Sequence, residues 1–331
     1  MRYNDVKIAV VIATYNGEKY IKEQLDSVLV QTLMPSEIII QDDNSSDGTW
    51  DILCEYKKLY PNLIKLYKNK KSLGAHMNFE KAFCFVTADY IAPCDQDDIW
   101  MPRKLEYSYQ ALKEGSYSLV ACKELIRYED GSEIPNYYPI PTLEDCIFNK
   151  GIPGHLMIIP KYAIKVFDIA DKITFDFGLT VFAVCDRGGK IIDYNGCIWR
   201  RHSSVVTAEY SNHNPFTIKN ISKWKKLSYV LKATFKGEHS QVIERREYAI
   251  HQIISYFLKE KKNLKSYDYL TKCMIKQSPI SILIAGFVYG HIKSKRPEYK
   301  SYSLKSKIAN RLYNLCVPAM FWYDYHDRIA L

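Results

Sequence analysis

From Val6 to Trp100 the chain alternates short, β-branched apolar runs with stretches whose apolar residues recur at helical spacing. Lys7–Ala13 reads as a strand buried on both faces. Asn16-Gly17 breaks that run, and Ile21, Leu25, Val28 and Leu29 follow on one helical face. Glu37–Gln41 is a second strand, Trp50, Leu53 and Tyr60 mark a second helix, and Ile64–Tyr67 is a third strand. Asn78–Phe85 reads as a helix and Asp89–Pro93 as a fourth strand. Pro102 suits a helix start, with Leu105, Tyr109 and Leu112 sharing a face. Repeated βα units predict an α/β fold: a Rossmann-like, mostly parallel sheet flanked by helices, with ligands beyond the carboxyl ends of its strands.

From Leu119 to Ile159 the pattern loosens into short apolar runs and turns such as Asp130-Gly131. A helix near Pro160-Lys161, another over Phe177–Cys185 and a strand at Lys190–Asp193 are expected to follow. Beyond Pro215 the spacing is helical. Trp224, Leu227, Leu231 and Phe235 oppose Lys225, Lys226 and Lys232, and Ile250, Ile253, Ile254 and Phe257 form a second stripe. The longest apolar run, Ile280–Tyr289, is interrupted by Ser281 and Gly286 and falls short of the ~20 residues of a spanning helix. Met1–Asp5 offers no apolar signal-peptide core.

Composition adds three points. At 331 residues, 47% hydrophobic and 25% charged, the chain is globular, with length for one large or two ordinary domains. Nine cysteines, an odd number with no Cys-x-x-Cys pair, argue against a disulfide framework or structural zinc and for a reducing, cytosolic setting. Charge is uneven: residues 215–331 hold 22 Lys+Arg against 8 Asp+Glu, net +14, whereas residues 1–214 carry net −5. A catalytic body followed by a basic appendage with an acidic partner is expected.

The unusual polar residues fall at the strand ends: Thr14-Tyr15-Asn16-Gly17 after the first strand, Asp42–Thr49 after the second, Asp95-Gln96-Asp97-Asp98 after the fourth. Three carboxylates in four residues behind Tyr90-Ile91-Ala92-Pro93 are costly unless a cation neutralises them. Hard divalent ions take such oxygen ligands and complete their shell with substrate phosphates. The plain alternative is a solvated turn ahead of the Pro102 helix. Asp43 could accept a hydrogen bond from a pyrimidine imide or a ribose hydroxyl, although Asp42 and Asp43 also suit an Asx-turn. Asp47 with Thr49 suits the cap of the second helix.

These blocks, Ala13–Gly17, Gln41–Thr49 and Cys94–Trp100, resemble in order and separation the nucleotide-site blocks of family 2 glycosyltransferases, and the last is most similar to bacterial rhamnosyltransferases. The resemblance covers roughly residues 6–205. It implies a GT-A fold over residues 1–214, with a nucleotide half at 1–105 and an acceptor half at 106–214, followed by a basic helical region at 215–331. It further implies an inverting transferase with a divalent metal (Mn²⁺ or Mg²⁺) and a dTDP- or UDP-sugar donor. The acceptor would be a glycan hydroxyl in surface polysaccharide assembly, lipid-linked in many relatives. By the same resemblance Thr14, Tyr15 and Asn16 lie along the nucleoside, Asp43 reads the base, and Gly74 and Asn78 belong to a loop near the donor. Asp95 lies near the ribose and Asp97 at the metal, with Asp98 sharing it. Phe175-Asp176-Phe177 is similar to a His-Asp-Trp element, with both flanking residues changed, which makes Asp176 the base; its alternative is a helix N-cap. Gly154-His155-Leu156 resembles a Gly-x-Thr acceptor element without its hydroxyl. Arg200-Arg201-His202 resembles a late motif in which Arg201 and His202 face the diphosphate. Asp186 and Asp193 read as surface residues.

Two other classes compete. A nucleotidyltransferase would need a glycine-rich triphosphate loop after the first strand, where only Gly17 occurs. A nucleic-acid binder would exploit the basic tail, but its lysines alternate with apolar stripes and match no reader motif. The tail better suits the anionic inner face of a membrane, or an ordinary helical subdomain or oligomer contact.

Overall fold

The structure is a computed structural model that describes residues 6–147, 151–170, 173–201, 241–259, 261–276 and 279–294. The chain divides into two compact units. The first comprises Met1–Thr142, Lys150–Asp168 and Thr174–Ala208; the second comprises Leu143–Asn149, Ile169–Ile173 and Glu209–Leu331.

The first unit is built on strands β1 (Ile8–Thr14), β2 (Glu37–Asp42), β3 (Ile64–Lys68), β4 (Tyr90–Asp95), β5 (Ile99–Trp100), β6 (Leu119–Arg127), β7 (Glu133–Asn136), β8 (Met157–Pro160) and β9 (Gly189–Arg200). They form one sheet in the order β3-β2-β1-β4-β8-β6-β9-β5, with β7 beside β6. The β3-β2-β1-β4 half is parallel, whereas β8 joins β4 and β6 antiparallel. Helices α1 (Ile21–Leu29), α2 (Thr49–Leu59), α3 (Ala75–Phe83), α4 (Lys104–Gly115), α5 (Leu143–Ile147), α6 (Val166–Ile169) and α7 (Phe175–Cys185) intervene. Of these, α5 belongs to the second unit.

The central strands are apolar because helices cover both faces: Val10, Val11, Ile12, Ile38, Ile39 and Ile40 are all fully buried. Ile21, Leu25, Val28 and Leu53 supply the helical side of that core. Tyr60, expected on the α2 face, instead follows the helix end and is exposed. α4 starts at Lys104, with Pro102 two residues ahead of it. β9 runs on to Arg200, far beyond Asp193, because its pairing with β6 absorbs register shifts through a polar stretch (Asp193-Tyr194-Asn195-Gly196) that hides the strand pattern. Phe175 of α7 stacks on Phe79 of α3, with ring centroids 4.3 Å apart.

In the second unit, α8 (Gln241–Leu258), α9 (Lys265–Lys276) and α10 (Pro279–Ser294) pack in sequence. The Ile250, Ile253, Ile254 and Phe257 stripe is buried, as its spacing predicted. The Trp224 stripe lies outside the described residues. Among the described residues no helix is long and apolar enough to cross a membrane.

Candidate active site

Three loops leave the sheet side by side because β1 lies between β2 and β4, with Thr14 paired to Asp42 and Ala13 to Asp95. Side chains then knit the loops together. Gln96 accepts the Tyr15 amide on Oε1 (2.9 Å) and donates to the Tyr15 carbonyl from Nε2 (3.0 Å), clipping the first loop to the acidic turn. Gln96 packs closely over Gly17: a β-carbon there would meet Oε1 at 2.2 Å and displace the clip. Asn16, at φ 47°, donates its amide to Ser45 Oγ (3.0 Å) and accepts the Ser46 amide on Oδ1 (2.9 Å). Thr14 Oγ1 donates to Asp42 (3.0 Å), and Gly17 N donates to Thr49 Oγ1 (2.8 Å). Asp47 accepts the Thr49 amide (3.1 Å) at the start of α2, whose N-cap is Gly48. Tyr15 is half exposed on this edge.

Asp43 is 2% exposed and already saturated. Its Oδ1 accepts Asn69 Nδ2 (2.7 Å) and the Leu73 amide (2.8 Å); its Oδ2 accepts Ser72 Oγ (2.7 Å) and the Gly74 amide (2.8 Å). Burial pushes this carboxyl up, but Ser72, the Leu73 amide, Asn69 and the Gly74 amide outweigh it and hold the group below the usual carboxylate range. A pyrimidine imide could reach it only by displacing one of these donors. In this conformation Asp43 staples the loop ahead of α3. Gly74, at φ 84°, adopts the left-handed conformation that turns its amide toward that carboxylate. Asn78 braces the same loop. It is 1% exposed, donates to the Gln41 carbonyl (2.8 Å) and accepts Asn69 Nδ2 (2.8 Å).

The acidic turn divides. The Asp95 side chain is 40% exposed and Asp97 is partly exposed, but Asp98 is fully buried. Asp98 Oδ2 faces His155 Nδ1 (4.0 Å) and the Cys197 thiol (3.7 Å), because β5 pairs with β9 immediately after it. The expected sharing of a metal by Asp97 and Asp98 would thus join one partly exposed carboxylate to one that is buried. Arg200 fixes the turn's backbone, donating from Nε to the Asp97 carbonyl and from Nη2 to the Asp98 carbonyl (3.2 Å), and from Nη1 to Glu23.

Beneath the turn lies a buried charged cluster that sequence reasoning missed. His155 bridges Glu124 through Nε2 (2.8 Å) and Asp95 through Nδ1 (3.3 Å). Lys104, 1% exposed, donates to the His155 carbonyl and sits 3.6 Å over the Trp100 ring. Asn136 Nδ2 satisfies the other Glu124 oxygen (2.7 Å). Burial pulls the His155 imidazole down, but Asp98, Asp95 and Glu124 outweigh it and hold the ring well above its usual value. Burial pushes the Asp98 carboxyl up to about 7, against the lowering effect of His155.

Asp98, His155 and Cys197 place one ligand atom each within 4.8 Å of one another. Without a cation, the carboxylates around His155 favour its protonated form and burial favours the neutral Cys197 thiol, so a metal held here would displace a proton from each. Asp95 and Asp97, by contrast, are partly exposed oxygen donors at the end of a strand, the donor set that hard divalent ions take.

Asp176 lies in the first turn of α7 and is partly exposed; the N-cap is Thr174, so the capping alternative does not hold. The Phe177 amide donates to Asp176 Oδ1 (2.8 Å). A β-carbon on Gly154 would lie 2.4 Å from Phe175 and 3.6 Å from Asp176 Cβ. Gly154 therefore lies against the Phe175 ring beside Asp176, while His155 itself reaches Asp95. Arg201 stacks its guanidinium on Trp199 (4.8 Å) and lines a cavity of about 460 Å³ with Lys19, Tyr20, Arg127 and Arg200. His202 lies outside the described residues. Asp193 is exposed and paired with Lys123 (2.7 Å), whereas Asp186 is partly buried and accepts the Tyr162 hydroxyl (2.7 Å).

A parallel half-sheet, three interlocked loops and an acidic turn at its carboxyl edge define an enzyme fold of the GT-A class. The chain belongs to glycosyl transferase family 2, whose family model matches residues 9–174. It is similar to the dTDP-rhamnosyl transferase RfbG of Shigella flexneri, 28% identical over 70% of this chain and 83% of that one. It is also similar to a Bacillus subtilis protein provisionally described as the teichuronic acid biosynthesis glycosyltransferase TuaG, 32% identical over 43% and 57%. An uncharacterized Mycobacterium bovis protein is 34% identical over 42% of this chain, and the match spans only 41% of that relative's length. The fold is similar to Staphylococcus aureus TarS residues 1–349 in complex with UDP-GlcNAc, with a TM-score of 0.51 at 16% identity over 98% and 92% of the two chains.

Proposed function

We propose that this chain is an inverting glycosyltransferase that moves a sugar, rhamnose first among candidates, from a dTDP- or UDP-linked donor to a glycan hydroxyl in bacterial surface polysaccharide assembly. The observation that carries this reading is the clipped edge, where Gln96 ties the Tyr15 loop to an acidic turn at which Asp95 and Asp97 are partly exposed. Family membership supports the reaction class, and the Shigella flexneri relative supports the choice of sugar. The transferase body is residues 1–214, with its nucleotide half at 1–105 and its acceptor half at 106–214. Residues 215–331 form a basic helical region. The acceptor is lipid-linked, and the protein works in the cytoplasm at the inner face of the cell membrane.

Asp97, with Asp95 beside it, would hold a divalent cation (Mn²⁺ or Mg²⁺), which supplies neutralisation of the charge developing on the leaving diphosphate. Thr14, Tyr15, Asn16 and the Gly74 loop line the nucleoside, and Arg201 contributes a cation at the diphosphate. The Phe177 amide orients the Asp176 carboxylate through Oδ1. Asp176 Oδ2 then accepts the proton of the acceptor hydroxyl as it attacks the anomeric carbon opposite the diphosphate. A single displacement with one base inverts the anomeric centre. Calorimetry with dTDP-, UDP- and GDP-sugars in the presence of Mn²⁺, followed by NMR of the product linkage, tests the reading. It expects a dTDP- or UDP-sugar to bind and to be transferred with inversion. Binding of none of these donors, or transfer with retention, refutes it.

A further inference from the structure

In the second unit two helical stripes run beside two shallow cavities. On α9, Lys265, Tyr269, Lys272 and Lys276 follow one another at three- and four-residue intervals, and all are exposed. On α10, Ile280, Ile284, Phe287 and His291 follow the same spacing, with Ile280 72% and Phe287 66% exposed. The opposite sides of these helices are the packed ones: Leu270 and Met274 on α9, Ala285 and Ile292 on α10, are buried. A helix that is apolar nearly all round is normally enclosed, so an exposed stripe of Ile280 and Phe287 marks a surface made to be covered.

The cavities identify the covering chemistry. One, of about 380 Å³, is lined by Lys265, Tyr269, Phe287 and Val288 among others; the second, of about 480 Å³, is lined by Lys272, Lys276, Ile280 and Ile284 among others. Neither lining contains a carboxylate, and of the three lysines Lys272 is paired to Asp268 (2.8 Å). An apolar floor, an aromatic ring at its border and a lysine rim complement a surface that is hydrocarbon below and anionic at its headgroups.

We propose that α9 and α10 form an interfacial docking face for an anionic phospholipid bilayer. Tyr269, Ile280 and Phe287 enter the headgroup–acyl boundary, and Lys265, Lys272 and Lys276 meet the phosphates. This inference rests on the membrane-side setting of the proposed function and names the surface that achieves it. No chemistry at the acidic turn is required for it.

Vesicle flotation of the full chain tests it, using phosphatidylcholine alone and with added phosphatidylglycerol. The wild type is expected to float only with the anionic vesicles, and Ile280→Ser/Phe287→Ser to remain at the bottom of the gradient. Lys265→Gln/Lys276→Gln is expected to lose about twenty-five-fold in partitioning, from roughly fivefold per basic residue near such a surface. All four positions are exposed, and circular dichroism checks that both variants stay folded. Flotation of either variant like the wild type, or no preference for anionic vesicles, overturns the proposal. So does a change in oligomeric state with flotation unchanged, which would make the face a contact between copies. Binding of UDP, measured in parallel, separates the two readings. A chain that binds UDP but ignores vesicles fails here alone, and one that floats but binds no nucleotide fails the transferase reading alone.

Discussion

In the parallel half of the sheet, β3-β2-β1-β4, the middles of the central strands are apolar and the polar groups, buried Glu37 and Asp42 among them, sit at the strand ends and in the loops beyond, where backbone amides and side chains bond most of them. In the half built from β8, β6, β9 and β5, charged groups lie inside the layer: Glu124, His155, Lys104 and Asp98 are all buried. The first arrangement gives a loop edge whose geometry is fixed by many modest hydrogen bonds. The second holds a turn in place through a few desolvated charges, each of which is expensive to leave unpaired. Preorganisation for the donor and for the acidic turn thus rests on different physics within one sheet.

The largest effect should come where the two halves meet. Asp176→Asn is expected to lower transfer by about 10²- to 10⁴-fold while donor affinity, read by calorimetry, stays within experimental spread. A loss of donor binding instead would make Asp176 part of the nucleotide edge. His155→Ala leaves Glu124 and Asp98 buried without their cation and should cost about 3–5 kcal/mol in chemical denaturation. A cost no greater than that of a loop substitution would erase the contrast between the halves. Gln96→Ala removes only the two bonds to Tyr15 and should cost about 1 kcal/mol, with donor affinity falling severalfold. Acid titration sharpens the comparison further. The Asp43 carboxyl is held below its usual value, so its contribution is present above about pH 4 and is lost as pH falls through the lowered value. Thermal unfolding between pH 5 and 2 should therefore decline less steeply in Asp43→Asn than in the wild type.

The same contrast explains what was legible in the sequence. Strands β1 to β4 declare themselves because buried parallel strands are uninterrupted apolar runs, and their polar loops stand out at the ends. The positions of Thr14, Asn16, Asp95 and Asp97 followed from that pattern. The hydrogen-bond partners of Asp43 and Asn78 did not, because bonding by Ser72, Asn69 and the Leu73 and Gly74 amides depends on how a loop folds back, which no spacing encodes. Gln96 looked like filler between acids, yet its carboxamide matches a backbone amide and carbonyl 81 residues away. His155, Glu124 and Lys104 are scattered over β6, α4 and the turn before β8, and register shifts in the β6–β9 pairing hide the alternation that would have marked Glu124 as buried. Asp98 was read with its acidic neighbours because charge in a sequence carries no direction; the pairing of Ile99 with Ile198 turns it inward.

Titration of UDP into the full chain with Mn²⁺, with EDTA, and in Asp97→Asn with Mn²⁺ probes the acidic turn most directly. Tight binding in the first case and at least a tenfold loss in the other two is the predicted result. Equal affinity in all three would mean that neither a cation nor Asp97 takes part in holding the nucleotide.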